Sequence, residues 1–151
     1  MTRTRKLLPF GLGLWLGAAL ALTAAPTLAQ PAAGPLAGKP FSVTIEANAA
    51  KVGTPSTATV TFKAAKGYHL NKDFPTSLKL NPATGITLPK ANLHRADAKA
   101  LTEQQGSFQV ALTASSAGPT TINGTLRFAV CTETTCEPQS TPVTIPVDVK
   151  P

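Results

Sequence analysis

Ile122-Asn123-Gly124-Thr125-Leu126-Arg127-Phe128-Ala129-Val130-Cys131-Thr132-Glu133-Thr134-Thr135-Cys136-Glu137-Pro138 decides how this chain folds. Ile122, Gly124, Leu126, Phe128 and Val130 recur every second residue. Polar side chains fill most of the alternate positions. Such a run makes a long strand with one apolar face. It ends in Cys131, four polar residues follow, and Cys136 and Pro138 begin the next stretch.

The same period appears on either side. Downstream, Val143, Ile145, Val147 and Val149 alternate with polar residues and prolines. Upstream, Phe108, Val110 and Leu112 do so, as do Ala58, Val60 and Phe62, and before them Phe41, Val43 and Ile45. Turn signals separate the runs: Val52-Gly53-Thr54-Pro55, Lys66-Gly67, Asn81-Pro82 with Gly85, Gly106, and Ala117-Gly118-Pro119. No helical period of useful length is present. One apolar face per strand is the mark of antiparallel sheets. The reading is therefore all-β, an immunoglobulin-like antiparallel β-sandwich. Val43, Ile45, Val60, Phe62, Phe108, Val110, Leu126, Phe128, Ile145 and Val147 are expected to face inward. True immunoglobulin domains carry distant cysteines around a buried Trp. Here the cysteines are close together, and the only Trp, Trp15, lies near the amino terminus. Two stretches do not alternate, Gly67 to Pro75 and His94 to Gln105, and both read as functional loops.

Residues 1–29 read as a signal peptide. Arg3, Arg5 and Lys6 are basic, Leu7 to Leu22 is apolar, and Thr27-Leu28-Ala29 offers a cleavage site before Gln30. The competing reading is an uncleaved anchor, against which stand a short apolar run and Pro26. Residues 30–39 form a Pro-, Ala- and Gly-rich lead-in, and 40–151 form one domain. Cleavage removes three of the fourteen basic residues, leaving eleven against seven acidic ones. The remaining lysines are scattered, which excludes a nucleic-acid stripe. A periplasmic or secreted protein is expected, with no membrane contact after cleavage, and a monomer.

In an exported protein a close pair such as Cys131 and Cys136 is expected to be oxidised. One reading makes the bond a hairpin staple, contributing about 2 kcal/mol for so short a loop. A domain of about 120 residues can fold without it. The other makes it a dithiol–disulfide couple, for which two close sulfurs on a reachable surface suffice. The neighbouring Glu133 and Glu137 disfavour a thiolate, with only Arg127 near in sequence, so a partner must supply the driving chemistry. A third reading gathers Cys131, Cys136, His69 and His94 around a metal. No knuckle spacing supports it, and neither a metal nor a cofactor is expected. Hydrolysis lacks a nucleophile motif.

The order of motifs resembles the periplasmic amino-terminal domain of the disulfide-interchange protein DsbD. The matching elements are Gly67-Tyr68-His69-Leu70, then Leu88-Pro89, the His94 to Gln105 segment, and Cys131 through Pro138. Together they span residues 40 to 149. The resemblance implies a sandwich with a redox pair near one edge. Such domains receive electrons through a thioredoxin-like module and pass them to oxidised exported proteins. It makes Cys136 the sulfur that bonds to partners and Cys131 the resolving thiol. It also implies a cap over the pair around His94 to Leu101, with Tyr68, His94 and Asp97 as shielding residues. The sequence departs from the family in three ways. The spacer has four residues where five are common, the cap lacks its shielding aromatic, and Asp97 alone remains of an acidic pair.

Overall fold

All five alternating runs are strands in the computed structural model, which describes residues 38–151. The signal peptide expected at 1–29, and the lead-in up to residue 37, lie outside the described residues. One sheet is built on β1 (Phe41–Ala47), β3 (Pro55–Ala64) and β9 (Gln105–Ala114). The far edge of β9 carries two short strands, β6 (Ile86–Thr87) and β8 (Ala98–Leu101). The other sheet runs β2 (Ala50–Lys51), β11 (Cys136–Lys150), β10 (Gly118–Cys131), β5 (Ser77–Asn81) and β7 (Asn92–His94). Beyond the end of β5, the short β4 (His69–Leu70) pairs with the last residues of β10. Pairing within the sheets is antiparallel except between β2 and β11. The architecture is the immunoglobulin-like sandwich that the alternation predicts.

The core lies between the sheets. Val60, Phe62, Phe108, Val110, Leu126, Phe128, Ile145 and Val147 are buried there. Val43 and Ile45, on the edge strand β1, are half-buried against the same cluster. Three aromatic rings bind the layers together. Phe128 meets Phe41 edge-on at 4.8 Å and Phe62 at 4.9 Å between centroids. Such pairs add to the stabilisation from buried area.

One strand adds to the alternating runs, and two local expectations are corrected. Ser77–Asn81 is a strand, with Leu78 and Leu80 buried against the core. Gly106, read as a turn, lies inside β9 opposite Phe62. A Cβ there would stand 2.2 Å from the Phe62 ring, so any side chain forces that ring to shift. The segment His94 to Gln105 is largely structured. It holds the end of β7, one 3₁₀ turn at Arg95–Asp97, and β8.

The register of β10 and β11 explains a proline pattern in β11. The pairing runs unbroken from Gly118↔Val149 to Cys131↔Cys136. The Thr132 N–H donates to the Thr135 carbonyl at 2.8 Å. Cys131↔Cys136 is therefore a non-hydrogen-bonded pair, and the even-numbered residues of β11 turn their backbone groups away from β10. Pro138, Pro142 and Pro146 all occupy this phase. They cost no ladder bond with β10 and remove donors from the free edge, which blunts pairing with another chain.

Candidate functional site

The site grows from the alternation of β10. Its even-numbered residues from Ile122 to Val130 enter the core, so Ala129 and Cys131 lie on the outer face of the sheet. Across one edge Cys131 stands opposite Cys136, and across the other it stands opposite His69. The next row holds Pro138, Ala129 and Asn71, with the Asn71 N–H donating to the Ala129 carbonyl at 3.0 Å. The two cysteines are disulfide-bonded, with Cα atoms 4.0 Å apart. The bond thus sits on the solvent side of a sheet, at the hairpin end, outside the core.

Its two sulfur-bearing residues are not equivalent. Cys131, flanked by strands on both sides, is only 2 % exposed. Cys136 begins β11, at the open edge of the sheet, and is exposed. The turn between them is held by Thr132, whose hydroxyl oxygen accepts from the Thr135 N–H at 3.1 Å.

A shallow cleft of about 240 Å³ opens beside the bond. His69, Asn71, Lys72, Asp73 and Glu103 line it with the two cysteines. The Asn71 side-chain amide nitrogen is 3.9 Å from the Cys136 sulfur and donates to it. Lys72 pairs with Glu103 at 3.1 Å. That ammonium, by hydrogen bond and by charge, with a lesser contribution from His69, holds the Glu103 carboxyl below its ordinary 4.5. The cleft thus carries both signs of charge. Glu133 and Glu137, the carboxylates nearest in sequence, are not among its lining residues, and strand alternation turns Glu137 to the opposite face from Cys136.

Of the residues expected to shield the pair, Tyr68, His94 and Asp97 are all absent from the lining of this cleft. Tyr68 is exposed in the turn before β4. His94 ends β7 and lines a neighbouring cleft with Asp73, Pro75, Thr76 and Arg95. Asp97 accepts from the His94 N–H at 2.8 Å and pairs with Lys90. These contacts, the backbone one first, hold its carboxyl below the ordinary 3.8. The 3₁₀ turn so fixed reaches the disulfide region through Arg95. Its guanidinium donates to the Lys72 carbonyl at 2.8 Å and lies 3.5 Å from Asp73. From the His94 to Gln105 segment, Glu103 itself borders the bond. Its carbonyl also accepts from the Leu70 N–H at 2.7 Å.

His69 thus joins the cysteines and His94 does not. Among the described residues no three of His, Cys, Asp and Glu are grouped to hold a metal ion. No helix there is long and apolar enough to cross a membrane.

A family model, that of the thiol:disulfide interchange protein DsbD, N-terminal, matches residues 39–147. The chain belongs to this family. The DsbD amino-terminal match covers both sheets and both cysteines. No curated protein matches the chain. Among solved structures, the reduced DsbD N-terminal domain of Neisseria meningitidis is 22% identical. That likeness covers 72% of this chain and 86% of that one, with a TM-score of 0.36. AggA, the major subunit of aggregative adherence fimbriae type I from Escherichia coli, is 15% identical. It covers 73% of this chain and 95% of that one, with a TM-score of 0.38. Assignment to the DsbD family rests on the family model.

Proposed function

We propose that this domain carries electrons in the periplasm, or outside the cell, between a thioredoxin-like donor and oxidised exported proteins. The carrying observation is the asymmetry of the bond, with an exposed Cys136 joined to a buried Cys131 outside the core. A donor thiolate attacks the Cys136 sulfur and forms a mixed disulfide. The Cys131–Cys136 bond breaks, and Cys131 leaves as a thiolate that takes up a proton. The donor's second thiolate then attacks the donor sulfur of the mixed disulfide. Cys136 is released reduced, and the donor is left oxidised. In the forward step the Cys136 thiolate attacks a disulfide of the exported protein, and Cys131 resolves the mixed disulfide. Cys136 is thus the partner-facing sulfur and Cys131 the resolving one. In this reading His94 and Asp97 protect the pair indirectly, by fixing the turn from which Arg95 holds Lys72 and Asp73 beside the cleft. Tyr68 shields it only when the exposed turn before β4 closes over it. The exchange needs no cofactor, and a monomer suffices.

Trapping tests the reading. With Cys131→Ser, Cys136 should accumulate mixed disulfides with thioredoxin-like proteins, and the wild-type bond should have a reduction potential well above about −300 mV. The second reading, a staple, is favoured by one observation: Cys131↔Cys136 closes the hairpin register. A potential below that limit, with no trapped partner, would decide for the staple.

A further inference from the structure

Asn71 lies 60 residues before Cys131 in the chain and on the same outer face. Its side chain is pinned at one end. The Oδ1 oxygen accepts the backbone N–H of Asp73 at 2.9 Å and of Phe74 at 3.2 Å. Two N–H donors can only meet the oxygen of an amide, so they also settle which end is nitrogen. The Nδ2 group is left pointing at the Cys136 sulfur, 3.9 Å away. The backbone beneath is held as well. The Asn71 N–H bonds the Ala129 carbonyl, Leu70 bonds Glu103, and Arg95 grips the Lys72 carbonyl. The amide is therefore aimed before any reaction begins.

A neutral disulfide sulfur accepts weakly. A thiolate accepts strongly, because hydrogen bonds to charged groups are the strong ones. A donor fixed at this distance therefore stabilises Cys136 more when it carries negative charge than when it is bonded. In the exchange cycle Cys136 is anionic twice, as the leaving group released from the donor and as the nucleophile toward the exported disulfide. We infer that Asn71 is a positioning residue of the exchange, an amide donor that stabilises the Cys136 thiolate. The inference rests on the reading that Cys136 is the partner-facing sulfur. The sequence hides this donor, since the residues flanking the cysteines in sequence are acidic. Lys72, on the same segment, adds positive charge to the cleft, but it is already paired with Glu103.

The test is alkylation of the reduced protein by iodoacetamide across pH, with Cys136 and Cys131 followed separately by peptide mass spectrometry. Asn71→Ser keeps a short oxygen for the turn N–H groups and is too short to reach the sulfur. Asn71→Asp keeps the turn oxygen and puts a carboxylate where the donor was. In Asn71→Ser the midpoint of the Cys136 rate profile should move to higher pH. A tenfold loss of thiolate at neutral pH, partly offset by the greater nucleophilicity of a more basic thiolate, should slow alkylation about threefold. The plateau at high pH should rise by about the same factor. Asn71→Asp should shift the midpoint further. This crossing of the profiles is not produced by a residue that merely holds the loop. An Asn71→Ser profile that overlays the wild type would overturn the inference. Should that variant fail to fold, the same comparison with Asn71→Thr, which also keeps a hydroxyl oxygen for the turn and brings no charge, decides. Because no partner takes part, the result is independent of the potential and trapping measurements that test the exchange itself.

Discussion

The two faces of the β10–β11 hairpin do different work within the same few residues. On the inner face Phe128 and Val130 are buried among the rings of Phe41 and Phe62 and the side chains of both sheets. On the outer face Ala129, Cys131 and Cys136 meet the thin strand β4, the loop after it, Glu103 and solvent. A period of two separates them, so neighbouring residues along the strand belong to different tasks. The lesson is that the disulfide lies outside the packing that holds the fold. A bond inside the sandwich would have to choose between stability and access.

This contrast makes a ranked set of expectations. Phe128→Ala removes an aromatic ring that touches two others and leaves a cavity. It should cost about 3–5 kcal/mol in urea unfolding. Gly106→Ala should be next. The added methyl meets the Phe62 ring well inside contact distance, and overpacking of this kind costs about 1–3 kcal/mol. A loss under about 0.5 kcal/mol in either variant would mean that the inner face is far more yielding than its packing implies. Reduction of the disulfide, or the pair of changes Cys131→Ser and Cys136→Ser, should cost only about 2 kcal/mol, the value for so short a loop. The circular dichroism spectrum and the near-ultraviolet signal of the core should persist. Unfolding on reduction would erase the difference between the faces, because the outer bond would then be holding the inner packing.

The inner face was legible in the chain and much of the outer one was not. Strand alternation is a local signal, so Phe108, Val110, Leu126, Phe128, Ile145 and Val147 could be placed from neighbours alone. Ser77–Asn81 escaped because it is short and runs straight into Asn81-Pro82. Gly106 escaped because glycine at a close approach looks, in sequence, like glycine in a turn. Asn71 and Glu103 reach the disulfide only through pairing that spans dozens of residues. One clue was available. Leu70 is an apolar residue in the Gly67 to Pro75 stretch. Once it is taken as core-facing, His69 and Asn71 must share the opposite face. The residues named as shields, Tyr68, His94 and Asp97, came from motif likeness. In the fold two of them, His94 and Asp97, build the brace behind the loop, and neither they nor Tyr68 lines the cleft over the bond.

The smallest expected effect concerns acid, and it separates the two faces again. Among the described residues the buried core cluster holds no ionisable side chain. The frame of the outer face has two carboxyls held below their ordinary values, Glu103 by Lys72 and then His69, and Asp97 by the His94 N–H and then Lys90. A carboxyl whose folded value lies below its unfolded one stabilises the fold above the unfolded value and loses that contribution as pH falls through the folded one. For these groups the loss begins below about 4.5 for Glu103 and 3.8 for Asp97. Glu103 is exposed and its pair with Lys72 is screened by water and salt, so its share of stability is small. The expected result is a melting temperature insensitive to these two groups from pH 7 to 5, with a shallow decline below pH 4. Glu103→Gln should remove its part of that slope and leave the pH 7 value nearly unchanged. Amide protection should fall first at Leu70 to Phe74, the segment that Glu103 and the Arg95 brace support, while Val110 and Ile145 keep theirs. Equal loss of protection at both sets of amides would mean that the outer frame and the core open as one unit, and that exchange at the disulfide must then carry a folding penalty.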